Sequence, residues 1–137
     1  MSDNPTFIAN LDGRQCRAVA HFALLLADFV GRANVIDLQV PDGAEVVGGN
    51  IVVTDTFDTT GTDTLSIGTP DSAARYMGAT SLKAAARTAV VPTGYQHDVE
   101  NNIVRLTRTP ADSAATKGTV IVTLEYVVLG KSEWTQG

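Results

Sequence analysis

Few residues in this 137-residue chain are of a type that does chemistry. Two histidines, His21 and His97, and one cysteine, Cys16, make up the whole set of imidazoles and thiols. A proton-transfer site needs a base within hydrogen-bond reach of its proton and a partner that orients it. His97 precedes Asp98, but successive side chains on a strand point to opposite faces, which separates the two. His97 is therefore expected to be a solvated loop or strand-edge residue. His21 lies in the apolar run AVAHFALLLADFV and reads as a core or interface histidine. Without Cys or carboxylate at ligand spacing, the two histidines carry no zinc pattern. Asp55, Asp58 and Asp63 gather around one turn, and loop carboxylates are calcium ligands. Their spacing does not match a calcium loop and no bidentate Glu follows, so a solvated acidic turn is expected. No GxGxxG, GxxxxGK[ST] or GxSxG pattern is present. Ser66, Ser72, Ser81, Ser113 and Ser132 have no histidine to activate them. The expectation is a chain with no catalytic residue, no metal site and no cofactor, and hence not an enzyme.

The elements that would position such groups follow from bulk composition and pattern. The length suits one domain with one core. Hydrophobic residues form 44% and charged residues 18% of the chain, an ordinary globular balance. The formal charge is -5 and the ten basic residues are scattered, which argues against nucleic acid as a partner. One cysteine excludes an intrachain disulfide, and Cys16 reads as a small buried hydrophobe. The start MSDNPTFIANLDG has no secretory pattern, and the longest apolar stretch is too short to span a bilayer. The expectation is a soluble protein made in a cytoplasm, with no membrane partner.

The hydrophobic period is two almost throughout. Residues 1–14 read as an N-terminal arm or short first strand, and residues 15–137 as a single domain. Residues 15–30 suit either strand or helix and are taken as strand. NVIDLQVP, residues 34–41, alternates and ends at Pro41. PDG, residues 41–43, is a turn. EVVGGNIVVTDTF, residues 45–57, reads as a long strand with a bulge or a bend at Gly48 and Gly49. With DTLSIG, residues 63–68, it carries a β-hairpin signal. Ala-rich PDSAARYMGATSLKAAAR, residues 70–87, opens like a helix, expected near 71–77. Short strands are expected at 88–92, 95–99 and 102–109. In the last, Val104, Leu106 and Arg108 share a face opposite Ile103, Arg105, Thr107 and Thr109. TVIVTLEYVVLG, residues 119–130, has the β-branched density of a central strand. Seven or eight antiparallel strands with one short helical segment predict an all-β fold, a jelly-roll or β-sandwich.

The strands carry more apolar surface than a thin sandwich covers, which points to burial against another subunit. Phe7, Ile8 and Leu11 in the arm, and Trp134 in the tail, are the candidate interface residues, since aromatics dominate interface hot spots.

Several segments carry a resemblance. PDGAEVVGG at 41–49, DTLSIG at 63–68, the Ala74-Arg75-Tyr76 turn, the PTGY turn at 92–95 and the closing Glu125-Tyr126-Val127 strand occur in one order over residues 33–137. In this the chain resembles the capsid cement (decoration) proteins of tailed bacteriophages, the nearest in size and character being that of a Bordetella phage. The resemblance implies a jelly-roll that binds the outer surface of an icosahedral head. It implies the phage major capsid protein and further copies of the chain, as homodimer or homotrimer, as partners. It implies a place in the virion, on the outer capsid surface, after synthesis in the bacterial host cytoplasm. It brings no catalytic residues. The alternative reading is a head- or tail-fibre β-sandwich that recognises a host-surface glycan.

Overall fold

The computed structural model describes residues 18–111 and 115–128. Eight strands and one short helix follow in the order β1 (Ala18–Leu25), α1 (Leu26–Val30), β2 (Val35–Gln39), β3 (Ala44–Asp55), β4 (Asp63–Thr69), β5 (Ser72–Ser81), β6 (Arg87–Ala89), β7 (Ile103–Pro110) and β8 (Thr119–Val128). They form two four-stranded antiparallel sheets with strand orders β1-β8-β3-β6 and β2-β7-β4-β5. Among the described strands, only the β4–β5 connection stays within a sheet; each of the others passes to the opposite one. This is the jelly-roll arrangement of a double-sheet sandwich.

The core lies between the sheets because each strand alternates. Val120, Val122 and Leu124 of β8 are buried, as are Val46, Ile51 and Val53 of β3, and they meet Leu65 and Ile67 of β4 and Val104 and Leu106 of β7. Burying such side chains contributes about 1.5–3 kcal/mol each before the entropy of ordering is counted. β8 has the central place its composition suggests, with β1 on one side and β3 on the other. The bulge foreseen at Gly48 and Gly49 is present as a register shift between Val46 and Gly48. Gly49 has φ +135°, and a Cβ there would lie 2.2 Å from the Thr123 carbonyl oxygen. Gly43 closes the PDG turn at φ +85°.

Four sequence expectations are corrected. First, β3 and β4 are not a hairpin: β3 pairs with β8 and β6, whereas β4 pairs with β5 and β7. Residues 56–62 are long enough to cross the sandwich edge, and they bury Phe57 and Thr59 on the way. Second, residues 72–81 are strand, not helix. Tyr76 and Met77 are buried and the segment lies along β4, so tertiary pairing overrides the helix propensity of its alanines. Third, the helix lies at Leu26–Val30, inside the run taken as strand up to residue 30. The Asp28 carboxylate accepts the Leu25 backbone N–H at 2.8 Å, Leu26 and Phe29 turn inward, and Gly31 follows as the cap. Fourth, residues 95–99 form an ordered loop held by single bridges at Glu45–Gln96 and Asp98–Asn101. Pro92 and Gly94 (φ +79°) precede it and interrupt a ladder.

Candidate functional site

The histidines and carboxylates singled out above occupy three places, and in each they are bonded to neighbouring residues. His97 is 1% exposed, against the expectation of a solvated edge. It sits in the 95–101 loop, whose backbone is stitched to the start of β3: Gly43 N–H donates to the His97 carbonyl at 2.7 Å, and His97 N–H donates to the Ala44 carbonyl at 2.8 Å. Its Nδ1 lies 2.9 Å from the Asn101 carbonyl oxygen, and its Nε2 lies 2.9 Å from the Tyr76 hydroxyl. A carbonyl only accepts, so Nδ1 carries the proton and Nε2 accepts from Tyr76. Both ring nitrogens are therefore occupied. Burial lowers the His97 pKa from its ordinary value, and burial raises the Tyr76 phenol to about 12. Asp98 does not orient His97; its carboxylate accepts the backbone N–H groups of Glu100 and Asn101.

A polar shell surrounds this loop. The Arg75 guanidinium stacks 3.8 Å over the Tyr95 ring, and its Nε donates to Thr69 Oγ1 at 3.1 Å. Asn101 Nδ2 bonds the Tyr95 hydroxyl and Asp71 Oδ1. Hydrogen bonds from Thr69 and Asn101 hold the Asp71 carboxyl below the usual carboxylate range. The shell ties the β4–β5 turn to the loop before β7.

The three carboxylates around residues 55–63 separate. Asp63 is 1% exposed, which corrects the solvated acidic turn. It receives Arg108 from β7: Nε donates at 2.9 and 3.0 Å, and Nη2 at 2.6 Å. Arg108 is 3% exposed; its Nη1 donates to Asn34 Oδ1 at 3.0 Å and its Nη2 to Thr59 Oγ1 at 3.2 Å. Thr59 Oγ1–H donates to Asp63. Arg108 thus lies on the core face of β7 with Val104 and Leu106, as the alternation indicates. Asp58 points the other way and holds the chain before β8. The Thr116 hydroxyl, then the Thr116 and Lys117 backbone N–H groups, bring its carboxyl down to about 2. Asp55 lies 3.8 Å from Lys117 Nζ. Among the described residues, no three His, Cys, Asp or Glu side chains converge at metal-binding range.

His21 stands on the outer face of β1, with Nδ1 2.8 Å from Thr123 Oγ1. Phe7, Ile8, Leu11, Trp134 and Cys16 lie outside the described residues, as do Ser113 and Ser132.

The broad surfaces differ in chemistry. The outer face of the β1-β8-β3-β6 sheet is mixed: Val19, Ala23, Leu25, Val52, Ile121 and Val127 stand on it beside His21, Asn50, Thr119, Thr123 and Glu125, with Val19 56% and Leu25 52% exposed. The outer face of the other sheet presents Thr64, Ser66, Thr107 and Thr109, and a forked pair in which Arg105 donates to Asp37 at 2.7 and 2.9 Å. The Arg105 bonds hold the Asp37 carboxyl below its ordinary range. Surplus apolar strand surface was expected from the sequence, without its face being specified; the Asp63–Arg108 pair was not singled out as a site. The alternation in β1 and β8 contains the first; nothing local distinguishes the second from a solvated pair.

No protein-family model matches this chain, and no curated protein does. A chain in the solved capsid asymmetric unit of cyanophage Pam1 shares its fold with a TM-score of 0.69, over 92% of this chain and 94% of that one, at 21% identity. A chain in the acid-stable capsid structure of Helicobacter pylori bacteriophage KHP30 matches with a TM-score of 0.50, over 82% of this chain and 94% of that one, at 15% identity. The jelly-roll described here is thus a fold also found in chains of two bacteriophage capsid structures.

Proposed function

We propose that this protein is a structural component of a bacteriophage head: a cement protein that binds the outer surface of the icosahedral shell as a homo-oligomer and bridges neighbouring major capsid protein subunits. The observation that carries this reading is the end-to-end likeness to a chain of a phage capsid, with nearly the full length of both chains matched. The surfaces support it. One sheet face exposes Val19 and Leu25, which a second copy or the shell would cover, while the other is Thr- and Ser-rich and suits solvent. His97 and Asp63 are bonded inward, and Asp58 ties down the chain before β8.

Packed DNA pushes outward on a capsid, and a bridging protein resists by forcing many contacts to break together. Individual contacts can be weak because multivalent attachment multiplies them. A rigid sandwich loses little free energy to ordering when it docks. The net charge of -5 disfavours binding of free subunits to DNA.

The test is to add purified protein to expanded heads lacking it and image them by electron microscopy. Ordered density at symmetry-related positions on the outer surface is the expected result. Bare heads at saturating protein would overturn the reading, and reproducible hits on a glycan array with bare heads would replace it by the glycan-binding alternative.

A further inference from the structure

Gly follows Asp at two positions in the sequence, Asp12-Gly13 and Asp42-Gly43, and the second lies within the described residues. An Asp-Gly peptide is the one most open to isomerisation in water, because no Cβ on the glycine hinders attack of its nitrogen on the Asp side-chain carboxyl. Asp42 is exposed in the β2–β3 turn, where Ala44 N–H donates to the Pro41 carbonyl at 3.1 Å and Gly43 takes φ +85°. The carboxylates of Asp58, Asp63, Asp71 and Asp98 each accept hydrogen bonds from neighbours. Among the described residues nothing bonds the Asp42 carboxylate.

The reacting nitrogen, by contrast, is held. Gly43 N–H donates to the His97 carbonyl at 2.7 Å, and one residue on, the Ala44 carbonyl accepts His97 N–H at 2.8 Å. Ring closure must turn the Asp42–Gly43 peptide toward the carboxyl, which breaks the first of these bonds. An N–H that is donated to a carbonyl is also harder to deprotonate. His97 cannot yield alone: it is 1% exposed, and its ring is clamped between the Tyr76 hydroxyl and the Asn101 carbonyl, each 2.9 Å away. The nucleophile of an exposed turn is thus tied to a buried side chain.

We propose that Asp42-Gly43 is a site of spontaneous isoaspartate formation and that the loop of residues 95–101 gates it, the turn reacting only when His97 leaves the start of β3. In the first step the Gly43 nitrogen bonds to Asp42 Cγ, and the nitrogen's proton leaves with the carboxyl hydroxyl as water, giving a succinimide. In the second, water adds at the Asp42 backbone carbonyl carbon and the bond from that carbon to nitrogen breaks. One water leaves and one returns, so mass is unchanged and no oxidant or reductant is consumed. The main chain then runs through Cγ and is one carbon longer. That carbon displaces Gly43 N–H from the His97 carbonyl, so modification and loop opening favour each other.

The experiment incubates the full-length protein at neutral pH and physiological temperature and counts isoaspartate at residue 42 by peptide mapping with electron-transfer fragmentation, Asp12-Gly13 being read on its own peptide. A peptide of residues 38–47 gives the ungated rate. The folded protein should react at least about tenfold more slowly than that peptide. Tyr76→Phe leaves His97 Nε2 without its donor while the loop is closed, and should raise the rate about tenfold. The double variant Asp63→Leu with Arg108→Met disturbs the core at the far end of β7 and should leave the rate within about twofold of the unsubstituted protein. Equal rates in peptide and folded protein, an unchanged rate in Tyr76→Phe, or the same acceleration in both variants would each overturn the proposal.

Discussion

Substituting Asp63 by Ala removes one half of an ion pair that has no access to solvent. Arg108 loses its Nε contacts at 2.9 and 3.0 Å and its Nη2 contact at 2.6 Å, and keeps only Asn34 and Thr59. A guanidinium cannot shed its proton to escape. The surrounding core of Phe57, Leu65 and Leu106 offers no other acceptor, and water cannot reach a side chain that is 1% exposed. Breaking a buried pair in this way costs about 3–5 kcal/mol, a large share of the roughly 5–15 kcal/mol that holds a domain folded. With a urea slope of about 2 kcal/mol per M, the midpoint should fall by about 2 M. The double variant Asp63→Leu with Arg108→Met removes both charges and fills the space. It should cost only about 1–2 kcal/mol, set by the Thr59 hydroxyl and Asn34 amide left to find partners. Equilibrium urea unfolding of the full chain, followed by circular dichroism, reads both. If Asp63→Ala loses less than about 1 kcal/mol, or the double variant loses the sum of the two single ones, the pair does not work as a desolvated unit and the reasoning fails.

His97 supplies a pH dependence. Burial holds its folded pKa below the ordinary histidine value, so the unfolded chain binds the proton more readily, and stability is complete above the unfolded value near 6.5. It should decline as pH falls below that, by up to about 1.4 kcal/mol per unit, and His97→Gln should flatten the urea-midpoint profile between pH 7.5 and 5. Tyr76→Phe removes the hydroxyl that donates to His97 Nε2 and should cost about 1–2 kcal/mol by the same assay, with no loss in Thr80→Ala on the same strand beyond about 0.5 kcal/mol. Gly49→Ala drives a Cβ to 2.2 Å from the Thr123 carbonyl oxygen at φ +135°, whereas a Cβ at Gly78 meets nothing within 4 Å. Gly49→Ala should therefore lower the melting temperature by several degrees and Gly78→Ala should leave it nearly unchanged. Trp134→Ala should reduce occupancy on heads while barely moving the melting temperature of the free protein; equal loss of both would assign Trp134 to the core.

Much of this fold was legible along the chain because strand formation is written locally. Alternation in residues 35–39 and 103–110, β-branched density in 119–128 and the paired glycines at 48–49 state where the strands lie and where one bends. The same alternation put Arg108 on the face of Val104 and Leu106. It could not say that this face is dry, since burial depends on Asp63 and Thr59 arriving from another strand and its preceding loop. His97 was misjudged for the same reason: a histidine between Gln96 and Asp98 looks solvated until Tyr76 of β5 closes over it.

By itself, then, the sequence determined the composition class, the number and approximate bounds of most strands, and the all-β character. Those depend on a side-chain period of two and on turn residues a few positions apart. Tertiary structure alone decided that residues 72–81 pair as an edge strand, and that β3 and β4 lie in opposite sheets. It also decided that two polar residues far apart in sequence, Asp63 and Arg108, meet inside the core. The last two depend on contacts between segments tens of residues apart, and the first on pairing with the adjacent β4 and on burial of Tyr76 and Met77, whose free energy exceeds the local helix preference of the alanines.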